Sequence, residues 1–273
     1  MVGKMNQVQL QQDRVKPINP KQQINTLLAE ASNILVVTAK NPNNDQIAGV
    51  SAFESVMRKV GKTSLVVVTD PLPKIAEVIN TENIATSPES SRELVISLEL
   101  GDKNLQRLHY KLDDGRLLIS VMPDKGQIDP KSIEYHYGTF NFDLVVALGV
   151  SDFSRIDRLQ EKYPTIFDGY HLINVDYHRN NTNYGSINFV DSKASSISEI
   201  LVALFESMGQ NLLDPEIATS LFAGIMSNTN RFCNVQTTAK SMTVAAQMLA
   251  AGADQQAVVK ALFQDKKKSS KPR

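Results

Sequence analysis

The chain has a single cysteine, no surplus charge of either sign and no long apolar run, and each shortage excludes something. A lone Cys233 cannot close an internal disulfide, which fits a reducing compartment; it is expected as a small buried residue just past a helix. Lys plus Arg and Asp plus Glu both total 29, so the whole molecule has no field that gathers nucleic acid or membrane nonspecifically. Binding of that kind has to be local. No stretch approaches the ~18 uninterrupted apolar residues of a spanning helix, and MVGKMNQVQLQQDRVKPINPKQQ has no apolar core of signal-peptide length. These absences predict a soluble, cytoplasmic protein with no membrane partner.

What is present suffices for a large core: 273 residues, 42% of them hydrophobic, enough for one large or two small domains. The continuous β-branched runs Ile34 to Thr38, Ser64 to Val68 and Leu144 to Leu148 read as strands buried on both faces. Helical patterns alternate with them, from Gln22 to Ala31, about Gln46 to Val60, and Ser154 to Tyr163, with a short helix opening at Pro71 and Pro73. The expected fold is α/β: a doubly wound, mainly parallel sheet with an inserted antiparallel hairpin and a helical C-terminal part. Residues 1–21 read as a flexible lead-in and 22–263 as the domain. The last ten residues, 264–273, read as a basic disordered tail, with a phosphate-contacting arm as the other reading.

An antiparallel hairpin or edge addition is placed at about 93–123, where LVISLEL and RLLISVM alternate and Asp113-Asp114-Gly115 forms a turn before the second segment. It is a candidate interaction surface. In the C-terminal part, Ser196 and Glu199 have the spacing of a capping box. Further helices are expected from Pro215 to about Asn228, Ala239 to about Ala251, and Asp254 to Phe263, with Gly252 as a stop.

Four segments stand where such a sheet places its ligands: Thr38 to Ser51, Leu148 to Ser154, Val175 to Asn183 and Gly224 to Phe232. The triplet Asp176-Tyr177-His178 ends an apolar strand, and an acid with an imidazole there is the raw material of a metal phosphoesterase site. NPNNDQIAGVSAF, LVVALGVSDFSRI, INVDYHRNNTNYGSINFVDSKASSISEIL and IATSLFAGIMSNTNRF together resemble the four motif regions of the DHH phosphoesterase family, over residues 22 to about 263. The resemblance implies cleavage of phosphodiester or phosphomonoester bonds with two Mn²⁺ or Mg²⁺ ions held by His and Asp.

Carried over by position, the first-motif His falls on Ala39, the first Asp on Asn43, and the second Asp on Asp45, which is kept. The bridging Asp falls on Gly149, the third-motif His on Tyr177 between Asp176 and His178, and the fourth-motif Asp on Asn228. Of these six ligand positions only Asp45 keeps its acid. Too few anionic oxygens converge to hold two hard cations, so no cofactor is expected. The resemblance also implies a smaller C-terminal domain with a glycine-rich substrate grip; no such motif follows Phe263, and the cleft is expected to be open on one side.

The reading is a catalytically degenerate domain that binds a nucleotide, a short nucleic acid or a protein. The alternative is a metal-dependent phosphoesterase acting on short oligoribonucleotides or nucleoside bisphosphates. There Asp45 and Asp176 hold Mn or Mg, and His178 is catalytic. A structural or homo-oligomer-forming module is the third reading. Local expectations go with these. Asp45 caps the helix that starts near Gln46, unless it is a ligand. Asp176 bonds loop amides and His178 is a polar residue in the cleft, Ser151, Asp152 or Ser154 caps the next helix, and the Tyr177 ring fills the space of the lost metals with its hydroxyl on Asp45 or Asn228. Asn43 and Asn228 join a neutral network there.

Overall fold

Runs such as NILVV and LVVAL hold only branched apolar side chains apart from one Asn and one Ala, and such runs are stable as strands covered on both faces. In the computed structural model, which describes residues 19–209 and 211–263, these two runs lie side by side in a parallel sheet. The chain divides into two units, one built from the segments up to Ser87 and from Phe142 onward, the other Pro88–Asn141.

The first unit begins with α1 (Pro20–Glu30), β1 (Asn33–Val37), α2 (Asn44–Lys59), β2 (Thr63–Val67) and β3 (Ile84–Ala85). The second unit holds β4 (Arg92–Leu98), β5 (Leu105–Asp113), β6 (Arg116–Pro123) and β7 (Ile133–Phe140). The first unit then resumes with β8 (Leu144–Leu148), α3 (Leu159–Lys162), β9 (His171–Asp176), β10 (Ile187–Val190), α4 (Ile197–Ser207), α5 (Pro215–Asn228), α6 (Ala239–Ala250) and α7 (Gln255–Phe263). No helix among the described residues is long and apolar enough to cross a membrane.

The six-stranded sheet runs in the order β10-β9-β8-β1-β2-β3, with every pair parallel. The chain order turns back between β1 and β8, so their carboxyl ends open a crevice, the place where ligands of such sheets bind. Helix α2 is buried along almost its whole length, and Phe53 on it meets Phe205 of α4 with ring centroids 6.3 Å apart. The core is one continuous cluster that includes Val36, Val146, Ile173, Ile197, Leu201 and Leu221.

The helices expected from Pro215, Ala239 and Asp254 stand within a residue of their reading, and α1 starts two residues earlier, at Pro20 behind an Asn19 cap. The segment at Pro71 and Pro73 leads only to a 3-10 turn at Lys74–Glu77, and the helix expected from Ser154 to Tyr163 shrinks to a 3-10 turn, Phe153–Arg155, and the four-residue α3. Asp152 caps that turn by accepting from Ser154 N at 2.9 Å. Cys233 is exposed rather than buried. It follows three consecutive left-handed residues, Asn230, Arg231 and Phe232, with φ of 47°, 61° and 62°. The lead-in up to Ile18 and the tail from Gln264 lie outside the described residues.

In the second unit, the expected pairing of LVISLEL with RLLISVM does not occur. The Asp114-Gly115 turn, with φ of 47° and 74°, is a tight two-residue hairpin turn. It folds β6 onto the strand directly before it, β5, from Asp113 opposite Arg116 to Leu105 opposite Pro123. The earlier segment, β4, pairs instead with β7, from Arg92 opposite Phe140 to Leu98 opposite Ile133. The result is two antiparallel ribbons instead of one hairpin.

Candidate functional site

Helix α2 starts one residue before Asp45, and that offset decides what Asp45 does. Asn43 is the N-cap: its Oδ1 accepts from Gln46 N at 2.9 Å, while Gln46 Oε1 accepts from Asn43 N at 2.8 Å. With both exposed amides met by this reciprocal pair, Asp45 is not the cap of its own helix. Its side chain crosses instead to the start of α4. Ile197 N donates to its Oδ2 at 2.7 Å, and Ser198 donates to its Oδ1 from N at 3.1 Å and from Oγ at 2.7 Å. A carboxylate on the first amides of a helix is favoured by both hydrogen bonding and the helix dipole.

Asp45 is fully buried, and burial pushes its carboxyl above the ordinary range, with the hydrogen bonds from Ser198 and Ile197 pulling it partway back. Gly224 of α5 lies against this contact. A Cβ there would run into Ser198 Oγ and come within 2.7 Å of Asp45 Oδ1.

Serine and glutamate complete the α4 terminus. Ser196 Oγ accepts from Glu199 N at 3.0 Å, as the spacing predicts, but the Glu199 carboxylate reaches one residue further back than a capping box. It accepts from Ser195 N at 3.0 Å and from Ser195 Oγ at 2.6 Å. Lys240 Nζ stands 3.3 Å from its other oxygen.

Gly149 follows β8 with φ +72°, a conformation that suits glycine. The space a side chain would take there is filled by Gln46. A Cβ on Gly149 would lie 2.8 Å from Gln46 Cγ and 2.9 Å from Gln46 Nε2. Gln46 Nε2 also donates to the Gly149 carbonyl at 2.6 Å. Ala39 is buried beside β1 and bridges Ile156, and its methyl group offers no donor atom.

At the end of β9 the triplet turns into the crevice. Asp176 is fully buried and bonds side chains rather than loop amides: His178 Nδ1 at 2.7 Å and Asn181 Nδ2 at 2.7 Å. Tyr177 stacks on His178, centroids 4.4 Å apart and planes 25° from parallel. Its hydroxyl donates to Asn228 Oδ1 at 3.4 Å, and Asn228 Nδ2 in turn donates to the Ser195 carbonyl. Burial, and after it the negative Asp45, push the Tyr177 hydroxyl up to about 12, while bonds from Asn228 and Asn43 oppose the rise. Tyr177, Asn228 and Asn43 therefore meet as expected. The Asn43 carbonyl is committed to its own helix.

The structure thus gathers Asn43, Asp45, Gly149, Tyr177, Asp176, His178 and Asn228 around one crevice. Among the described residues, no group of three or more His, Cys, Asp or Glu is placed to hold a metal ion. A cavity of about 610 Å³ opens in front of Tyr177 and His178, with Arg179, Lys193, Gln236 and Thr238 among its walls. Sequence reasoning missed Gln46, Ser198, Arg179 and Lys193. Only Arg179, next to the triplet, carried a local signal.

The DHH family, N-terminal domain, is matched over residues 33–225. The chain is 36% identical over 106 residues to the probable bifunctional oligoribonuclease and PAP phosphatase NrnA of Streptococcus mutans, covering 39% of this chain and 32% of that protein. It is 31% identical over 113 residues to the bifunctional oligoribonuclease and PAP phosphatase NrnA of Bacillus subtilis, covering 41% and 34%. A solved structure, an exopolyphosphatase-related protein from Bacteroides fragilis, superposes with a TM-score of 0.66 at 14% identity, covering 89% of this chain and 60% of that one. The similarity to the two curated relatives thus spans about a third of their length.

Proposed function

We infer the function from a firm premise: the chain belongs to the DHH family. Within it, this member uses the crevice to bind a nucleotide or a short single-stranded nucleic acid, and it does not assemble a two-metal centre for phosphoester cleavage. One observation carries the reading. Asp45, the single acid kept at a ligand position, has both oxygens engaged by Ile197 and Ser198 in the interior. A hard divalent cation needs several anionic oxygens free to face it. Asn43 and Asn228 offer neutral amides already in use, and Gly149 and Ala39 offer nothing.

The binding half of the reading rests on the cavity. Arg179 and Lys193 supply positive charge for phosphate oxygens, and the stacked Tyr177 and His178 present a ring pair beside which a base can lie. The relatives' names supply the ligand class to try first, oligoribonucleotides and PAP. The second reading, a metal-dependent phosphoesterase, is favoured by the Asp176–His178 contact at 2.7 Å, an acid orienting an imidazole at the cavity wall.

The test is fluorescence anisotropy with a labelled short RNA, without divalent ions and then with Mn²⁺, followed by chromatography of the RNA. Binding that needs no divalent ion, falls with salt and leaves the RNA intact is expected. Mn²⁺-dependent cleavage that disappears in both Asp176→Ala and His178→Ala would install the second reading.

A further inference from the structure

Ribbon β5–β6 is sided. Paired residues of an antiparallel ribbon share a face, and so do every second residues along each strand. Leu108 faces Val121, Tyr110 faces Ile119 and Leu112 faces Leu117, so one face is a ladder of six apolar side chains without a charge. The opposite face is mixed: Arg107, His109, Lys111, Asp113 and Arg116 lie there, with Leu118 and Met122 between them. Ribbon β4–β7 repeats the pattern, with Leu94 opposite Tyr137 and Ile96 opposite Tyr135 on one face.

Apart from Val121, which is half-buried, and Tyr137, whose ring carries the Arg92 guanidinium 5.2 Å from its centre, these apolar faces are bare. Tyr110, Leu112 and Tyr135 are 73%, 79% and 79% exposed, although nothing in the alternation of the strands would have prevented polar residues there. A two-stranded ribbon alone is at best marginally stable in water and needs its apolar face covered.

We propose that the apolar face of β5–β6, with that of β4–β7, is the contact surface for a second copy of this chain, packed face to face about a two-fold axis. Two observations select that occupant. The ladder is uncharged and built from Leu, Ile, Val and Tyr, so it complements an identical ladder and offers nothing to a phosphate backbone or a charged peptide; sheets with such inner faces stack about 10 Å apart. The area suffices. Nine large exposed side chains on the two faces, at about 100 Å² each, give about 900 Å² per copy, against about 800 Å² per partner in a standard stable interface. The mixed face is left to solvent, and its cations keep ribbons from stacking on both sides.

Dimerisation through these faces does not depend on what the crevice binds. Its test is the mass of the full chain by light scattering and sedimentation velocity over a wide concentration series. Wild type is expected as a dimer, and Tyr110→Lys with Leu112→Glu as a monomer, its dissociation constant raised at least about thirtyfold, as for loss of one interface hot spot. Cysteine cross-linking in a Cys233→Ser background covers the case in which that variant does not fold. Tyr110→Cys is expected to form disulfide-linked dimers on mild oxidation, and Lys111→Cys, on the opposite face, is not. A wild type that stays monomeric at every concentration, a folded double variant that still dimerises, or equal cross-linking from both faces overturns the proposal.

Discussion

Replacing Asp45 by alanine separates two roles that position can have, because a scaffold carboxylate and a metal ligand fail in opposite ways. In the structure the change strands three buried donors, Ile197 N, Ser198 N and Ser198 Oγ, which sit 2.7, 3.1 and 2.7 Å from the carboxylate. Each unmet buried donor costs about 1–3 kcal/mol, while removal of a desolvated acid returns part of that, so a net loss of about 2–4 kcal/mol is expected. For a chain of this size that is a fall in Tm of about 4–12 °C. Thermal melting followed by circular dichroism, with and without Mn²⁺, reads both roles at once. Wild type is expected to melt at the same temperature in either buffer, because a cation held at 100 times its Kd would add about 2.7 kcal/mol. The reasoning fails if Mn²⁺ raises the wild-type Tm and Asp45→Ala, melting normally without metal, loses only that rise.

Three further outcomes are expected. Gly149→Asp places a side chain at φ +72° and against Gln46 at 2.8 Å, so it is expected to destabilise by about 2–4 kcal/mol. In a double-mutant cycle, adding Gln46→Ala recovers part of the loss; strict additivity would contradict the steric account. Tyr177 has its pKa raised from 10.0 to about 12, so the fold favours the neutral ring: that stability is whole below pH 10 and is lost as pH rises through about 12. It amounts to about 2–3 kcal/mol. Tyr177→Phe is therefore expected to flatten the alkaline decline in urea-unfolding stability, and an unchanged decline counts against it. Arg179→Ala and Lys193→Ala are each expected to weaken RNA binding and to lower the slope of log K against log salt by about 1. An unaltered slope in both removes them from the site.

The central strands and α5 were legible because their signals are local: β-branched runs for the strands, and for α5 an Asp214 cap followed by Pro215 at the first helical position. The ribbon pairing was not. LQRLHYKLD alternates polar and apolar as clearly as its neighbours, so alternation alone leaves the partner of β6 open, and what decides it is the two-residue turn, which joins only adjacent segments. At the crevice, the strand-end triplet and the meeting of Tyr177 with Asn228 could be placed by resemblance. Asp45 could not, because its partners lie 152 and 153 residues along the chain. The nearby cap position offered a plausible local use for Asp45, and Asn43 had already taken it.

The Gln46 amide resting on the Gly149 carbonyl ties two positions of the crevice into one unit. An acid at position 149 meets the long side chain of position 46, while shortening position 46 alone discards both the latch to that carbonyl and half of the brace that starts α2. Either change made singly therefore leaves a weaker fold, and the glycine and the glutamine are expected to be exchanged together or kept together.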